Sequence, residues 1–121
     1  APIADSHVEL IVIEPAVAML GGHEYASIDA NFPHEVVTSL PAFLAGRIDR
    51  LPAGSGRGTV QLFGHCTEVS LAPVNMATYR AMLERMGFDV DVESTSCCGM
   101  AGIFGHEAES QEMSATLFDT G

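Results

Sequence analysis

The stretch VELIVIE, residues Val8–Glu14, is the clearest structural signal in the chain. It is almost continuously apolar and rich in Val and Ile, which predicts a central strand buried on both faces. Pro15 ends the strand and suits the first turn of a helix. We expect that helix over Ala16–Leu20, with Gly21 and Gly22 ending it.

Two more strands are predicted further along the chain. Thr59–Gly64 is rich in β-branched and aromatic residues, and Phe88–Glu93 alternates strictly between apolar and acidic side chains. The second pattern is typical of a half-buried strand near the edge of a sheet.

Helices are predicted between these strands from apolar residues spaced three and four apart. The predicted helices are Pro33–Ile48 with a break at Pro41, Asn75–Met86 with Asn75 as N-cap, and His106–Phe118. Arg50–Gly58 is predicted to be an exposed, flexible loop. Because helices and strands alternate, the chain favours a single α/β domain over residues 1–121, Rossmann-like, with a mostly parallel sheet and helices on both faces.

Composition excludes several classes of protein. The 121 residues carry 5 Arg and Lys against 16 Asp and Glu, a net charge of −11, and such a surface repels nucleic-acid phosphates. We expect no transmembrane segment, because no apolar run approaches the ~20 residues that a membrane span needs. Three Cys cannot form a closed set of disulfides, so we expect a cytoplasmic protein rather than a small secreted one. A chain of 121 residues is long enough for one hydrophobic core.

The three thiols follow predicted strands. Cys66 comes just after Thr59–Gly64, and the pair Cys97–Cys98 comes just after Phe88–Glu93. Open α/β sheets hold their sites at the carboxyl ends of strands, so adjacent parallel strands would bring the sulfurs together. Gly99 and Gly102 lie beside the pair, where glycine lets the backbone turn sharply and approach a ligand closely.

Several interpretations of the thiols stay open from the residues alone. They are inert core cysteines, a strained Cys97–Cys98 disulfide, or ligands of zinc or an iron–sulfur cluster, since thiolates prefer soft metals. Zinc would need a fourth ligand, for which His65 and His106 are candidates. The absence of a CxxC pair counts against an ordinary zinc ribbon or a ferredoxin motif.

Two motifs are recognisable as a set. LFGHCTE, Leu62–Glu68, is followed by SCCGMAGIFGHE, Ser96–Glu107, and together they resemble the cysteine-rich CCG domain. This domain occurs in heterodisulfide reductase subunits, in glycolate and lactate oxidation iron–sulfur proteins, and in large FAD-linked oxidases. The two motifs are most similar to the C-terminal part of D-2-hydroxyglutarate and D-lactate dehydrogenase-like flavoproteins. The segment EPAVAMLGGHEY, Glu14–Tyr25, extends the resemblance upstream.

The resemblance implies that Cys66, Cys97 and Cys98 ligate metal in an iron–sulfur cluster of the [4Fe–4S] kind. It also implies that His65, Gly99 and Gly102 bind the cofactor by contacting the sulfurs.

Two positions depart from the family pattern. Val17 stands where the family has a Cys, and Gly22 stands where it has an Arg. A further family Cys would lie beyond Gly121. We therefore expect a fragment of a larger oxidoreductase, with an incomplete ligand set, no stable cluster and no activity of its own.

The resemblance further implies the function of the parent chain. We expect an FAD-dependent oxidoreductase that oxidises a D-2-hydroxy acid, in which this domain transfers electrons and contacts the FAD and ferredoxin modules. The alternative is a non-catalytic structural or docking domain whose cysteines are vestigial or hold zinc. A thiol-redox enzyme acting through Cys97 and Cys98 ranks third.

Overall fold

The structure is a computed structural model that describes residues 9–94 and 96–120. Its strands are β1 Leu10–Val12, β2 Val37–Ser39, β3 Thr59–Phe63 and β4 Asp89–Glu93. Its α-helices are α1 Pro15–Met19, α2 Tyr25–Ile28, α3 Leu40–Ala45, α4 Cys66–Leu71, α5 Val74–Arg85 and α6 Gln111–Asp119. No helix in these two ranges is long and apolar enough to cross a membrane.

The strands form two parallel ladders. β1 pairs with β2 over three residues, and β3 pairs with β4 over five, from Thr59 opposite Asp89 to Phe63 opposite Glu93. Helices connect the strands of each ladder, as parallel pairing requires. The α/β class is therefore confirmed, but the described strands lie in two two-stranded sheets rather than the one expected sheet.

β1 differs from the prediction in its surroundings. A strand does form at Leu10–Val12, while Val8 lies outside the described residues. Leu10 and Ile11 are exposed, and Ile13 just beyond the strand is 73% exposed. The predicted burial on both faces was therefore wrong, because Leu10 and Ile11 point to opposite faces of β1 and both are exposed.

The helix after β1 continues past the two glycines. A π-helical turn over Leu20–Glu24 joins α1 to α2, which ends at Ile28. Gly21 is buried, and a Cβ there would lie 3.2 Å from Cγ1 of Val37 on β2. The glycine thus allows the helix to pack closely on the strand, so the expected stop at Gly21 was wrong.

The predicted helix Pro33–Ile48 is a strand followed by a shorter helix. Its apolar spacing suits a helix, but the β-branched residues Val37 and Thr38 pair with β1 instead, after a 3-10 turn over His34–Val36. Ser39 caps α3, accepting a hydrogen bond from the Ala42 amide at 3.4 Å, and Pro41 occupies the first turn, where it removes no helical hydrogen bond.

The best-predicted helix, α5, is confirmed with one correction. Arg80 donates to Glu84 at 2.7 Å, and the helix ends before Gly87, whose φ of +91° suits glycine. Asn75 is not the N-cap: Pro73 holds that position, and Asn75 is buried inside the first turn. The preceding helix α4 was not predicted.

The last helix begins later than expected. Two 3-10 turns, Phe104–His106 and Ala108–Ser110, precede α6, which starts at Gln111. The acidic residues Glu107 and Glu109 therefore lie before the helix rather than in it.

Residues 51–58, just before β3, form an irregular loop, as predicted, and this loop is hydrogen-bonded to the end of α5. The Gly54 and Gly56 amides donate to the carbonyl oxygens of Arg85 and Met86, at 3.1 and 2.8 Å. The Arg85 guanidinium donates back to the Leu51 carbonyl at 2.7 Å.

The expected single hydrophobic core is small. Among the described residues, Ala18 and Val90 are the buried hydrophobic ones, and Pro41 is the largest fully buried side chain. Many large apolar side chains are exposed instead.

Candidate thiol site

All three thiols line one pocket of about 680 Å³. The pocket lies where β3 ends, beside the loop that follows β4 and the last turn of α6. Its lining residues are Gly64, His65, Cys66, Ser96, Cys97, Cys98, Phe118 and Asp119. The parallel β3–β4 ladder therefore places the sulfurs at the same end of two adjacent strands, as the spacing predicts.

Cys66 is the first residue of α4. Its neighbour His65 caps this helix, with Nδ1 accepting a hydrogen bond from the Thr67 amide at 3.3 Å. The other ring nitrogen, Nε2, lies 3.9 Å from Oε1 of Glu14, just before α1. The cap occupies Nδ1, so His65 orients the start of α4 beside the thiol.

Cys97 and Cys98 differ in their surroundings. Cys97 is half-buried, and its Sγ accepts a hydrogen bond from the Gly99 amide at 3.4 Å, whereas Cys98 is exposed. Both are free thiols, as is Cys66, so the Cys97–Cys98 disulfide is not formed.

The structure separates the other predicted site residues. His65 lines the pocket, but Gly99 and Gly102 are not among its lining residues. Gly99 and Gly102 have φ values of +75° and +70°, which explains the need for glycine at both positions. His106 is exposed in a 3-10 turn outside the pocket lining, and Val17 is 52% exposed on α1.

The sequence reasoning missed a buried polar pair beneath Cys66. Glu68 on α4 is 2% exposed, and its Oε1 accepts a hydrogen bond at 2.8 Å from Nδ2 of Asn75, which is 4% exposed. Burial, together with the nearby Glu68, raises the pKa of Tyr79 above its usual 10.0. A signal was present: a Glu in the first turn of a short helix, seven residues before an Asn.

Phe118 and Asp119 were also missed as part of the site. They come from the end of α6 and contribute to the lining of the pocket. Their spacing from the cysteines carries no local signal, since only the packing of α6 beside the Cys97 loop brings them there.

The three thiols are of the type that soft metals prefer, but the described residues do not arrange them as a metal site. Thiol sulfurs are the ligands that iron–sulfur clusters and zinc prefer. Across residues 9–94 and 96–120, however, no group of three or more His, Cys, Asp or Glu side chains is placed to hold a metal ion. The residues therefore fit part of a cluster's ligand set, and the sulfurs would need to move closer to complete it.

The chain is similar to bacterial D-2-hydroxyglutarate dehydrogenases. It is 32% identical to the enzyme of Pseudomonas putida over 122 aligned positions, which cover 97% of this chain and 12% of that protein. It is 37% identical to the Escherichia coli enzyme over 112 positions, 91% of this chain and 11% of that protein. For the Haemophilus influenzae enzyme the identity is 43% over 58 positions, 48% of this chain.

The chain thus spans between 6% and 12% of the length of these three relatives. No protein-family model matches the sequence, and no solved structure matches it either.

Proposed function

We propose that this chain is the thiol-bearing module of an FAD-linked oxidoreductase that oxidises a D-2-hydroxy acid, and that it binds an iron–sulfur cluster for electron transfer. One observation carries the proposal: three free thiols line a single pocket in a chain similar to D-2-hydroxyglutarate dehydrogenases along almost its whole length. Thiols gathered at the carboxyl ends of parallel strands are suited to ligation.

Each residue at the pocket has a role in this proposal. Cys66, Cys97 and Cys98 would provide the sulfur ligands, and a bound cluster would pass single electrons between the flavin and an acceptor. The Gly99 amide donates a hydrogen bond to the Cys97 sulfur and so helps to fix the position of that side chain. His65 orients Cys66 through the cap of α4, and Phe118 contributes an apolar side chain to the lining of the pocket.

We place the two ladders in one Rossmann-like sheet of the complete protein, in which β1 and β3 are neighbours. The unpaired edge of β1 supports this arrangement, because Leu10 and Ile11 are exposed beside it. The contact of α1 with α4 also supports it, since these helices follow β1 and β3. The free thiols favour a cytoplasmic location, where thiols stay reduced.

The partners in this proposal are the FAD and ferredoxin modules of the same protein. Exposed apolar side chains support them, because burial of large apolar side chains against a neighbouring module is favourable. The side chains concerned include Ile13, Ile28, Phe63, Leu71, Val74, Ile103, Met113 and Phe118, each more than half exposed.

The test is the metal content of the full-length protein that contains this chain. Expressed and purified anaerobically, it should contain iron and acid-labile sulfide, and Cys97→Ser should lose most of both. Ser70→Ala is the control, since Ser70 is exposed on α4 outside the pocket lining and should leave the iron content unchanged. Intact anaerobic protein without iron would refute the proposal.

A second candidate is a structural or docking domain, with cysteines that are vestigial or hold zinc. It is favoured by the lack of any three-donor metal group among the described residues and by Val17 at the position of a family Cys. The same measurement separates the two candidates. Zinc without sulfide, or no metal and normal turnover in Cys97→Ser, would support the docking domain.

A further inference from the structure

A second pocket, of about 430 Å³, lies between the loop 51–58 and the end of α5. Its volume is within the range of about 300–1,000 Å³ that is typical of binding pockets. It shares no lining residue with the thiol pocket, so the proposed cluster leaves it unexplained. Apolar side chains form most of its lining, namely Leu51, Pro52, Met82, Met86 and Phe88, and the remaining lining residues are Gly54, Ser55 and Gly56. An occupant would therefore bury an apolar group there.

The loop side of this pocket is held in place by hydrogen bonds to the end of α5. The Gly56 amide donates to the Met86 carbonyl oxygen at 2.8 Å. The Arg85 guanidinium donates to the Leu51 carbonyl oxygen at 2.7 Å. A Cβ at Gly56 would lie 2.7 Å from the Phe88 ring, so the loop backbone already touches the wall of the pocket. The pocket is therefore preformed, and an occupant would bind without the cost of ordering the loop.

Cations border the pocket in a chain that is otherwise strongly acidic. Arg50 immediately precedes the lining segment 51–56, Arg57 immediately follows it, and both are exposed. Neither guanidinium has an ion-pair partner within residues 9–94 and 96–120. Residues 47–57 contain three Arg and one Asp, a local charge of +2 in a chain whose net charge is −11. The rim therefore attracts carboxylates, while the interior favours an apolar group.

We propose that this pocket docks an acidic segment from a neighbouring module of the same polypeptide. One large apolar side chain of that segment fills the pocket, and carboxylates beside it pair with Arg50 and Arg57. The docking surface rests on the proposed function, in which this chain is one module of a longer protein. Modules joined by a short flexible linker have an effective concentration on the order of millimolar, so a contact of this small size persists between them.

The test places a photo-crosslinking residue at the rim of the pocket. Ala53 is exposed between the lining residues Pro52 and Gly54 and does not itself line the pocket. In full-length protein with p-benzoylphenylalanine in place of Ala53, irradiation should join this position to a segment outside the 121 residues. Mass spectrometry should find Asp or Glu beside a large apolar residue in that segment. Ala77, exposed on α5 outside the lining, is the matched control position and should give no such product.

Charge variants test the role of the rim. Arg50→Glu combined with Arg57→Glu should lower the yield of the cross-link about tenfold, because like charges would then face each other. Arg50→Lys combined with Arg57→Lys keeps both charges and should retain the yield. Both side chains are exposed, and the hydrogen bonds that hold the loop come from Arg85 and from backbone amides, so the folded structure should survive these changes. Equal yields in the two double variants would contradict the docking of an acidic segment.

Other products of the same irradiation would also overturn the docking surface. These are a cross-link confined to the 121 residues, a cross-link between two molecules in a mixture of isotopically labelled and unlabelled protein, and a small molecule that copurifies in the pocket. The iron content of the same samples separates this surface from the cluster. Protein that holds iron but gives no cross-link refutes the docking surface alone, and protein that gives the cross-link but holds no iron refutes the cluster alone.

Discussion

The two parallel ladders have the same order of strands and helices but differ in the side chains that follow the strands. In each ladder a strand is followed by a helix and a later parallel partner, but β1–β2 pairs over three residues and β3–β4 over five. The β3–β4 ladder has thiols after both strands, at Cys66 and Cys97. Beyond β1 the chain has Val17 instead, exposed and outside the pocket lining.

The polar interiors of the two regions also differ. The buried carboxyl group of Glu68, two residues after Cys66, accepts a hydrogen bond from Asn75, which connects α4 to α5. In the β1–β2 region, Ser39 is the buried polar side chain among the described residues, and its hydroxyl caps α3. The two regions therefore share a strand followed by a helix, but among the described residues the thiols and the buried Glu68–Asn75 pair lie in the β3–β4 region.

The largest expected effect comes from breaking the buried pair. Asn75→Ala removes the donor from a buried carboxyl group, and leaving such a group unsatisfied costs about 3 kcal/mol. Hydrogen exchange of the full-length protein should show lost protection in β3, α4 and α5, with β1 and β2 unchanged.

Asn31→Ala is the control for that experiment, because Asn31 is exposed and bonds only the nearby Asp29 among the described contacts. Equal loss of protection in both ladders after Asn75→Ala would mean that the two regions do not differ in this way.

A smaller effect is expected from giving the β1 side the thiol that it lacks. Val17→Cys should tighten zinc binding to the metal-free full-length protein on the order of 100-fold, since four ligands share about 10–16 kcal/mol in structural zinc sites. Competition with a chromogenic chelator measures the change.

Val74→Cys is the matched control, since Val74 is also an exposed valine near the start of a helix, 70% exposed on α5, and lies outside the pocket lining. Equal affinity in the two variants would show that α1 does not contribute to the thiol site.

The smallest effect concerns pH. Burial first, and the nearby Glu68 second, raise the pKa of Tyr79 above 10.0. The folded protein thus keeps this proton more tightly than the unfolded chain, so the contribution to stability is complete below about pH 10 and is lost as the pH rises further.

Tyr79→Phe has no such proton to lose. The melting temperature of Tyr79→Phe minus that of the original protein should therefore increase between pH 9 and pH 11. Near pH 7 this difference should not change with pH. A difference that is independent of pH throughout this range would contradict the role of Tyr79 burial.

Much of the β3–β4 region could be predicted because its signals are local. Strong alternation marks β4, β-branched content marks β3, and Gly87 ends α5 with its left-handed turn. The placement of Cys66 and Cys97 at one pocket could be predicted, because adjacent parallel strands have their carboxyl ends at the same edge of a sheet.

The β1–β2 region was predicted less well because its signals conflict. Val36 and Val37 fit a helical spacing, yet Val37 lies in a strand because it pairs with Leu10 of β1. Gly21 looks like a helix stop in sequence, but its lack of a side chain serves the packing on Val37. Patterns of spacing cannot distinguish these outcomes, because both depend on a partner distant in sequence.

The sequence by itself determined the α/β class, the acidic surface and the position of each thiol just beyond a strand. It did so because periodicity, charge and strand order act over short stretches of chain. Only the tertiary structure decided that Asn75 donates a hydrogen bond to Glu68, that Phe118 lines the thiol pocket, and that Gly99 packs against Ser114. These contacts depend on burial and close approach between distant segments, and no local pattern records them.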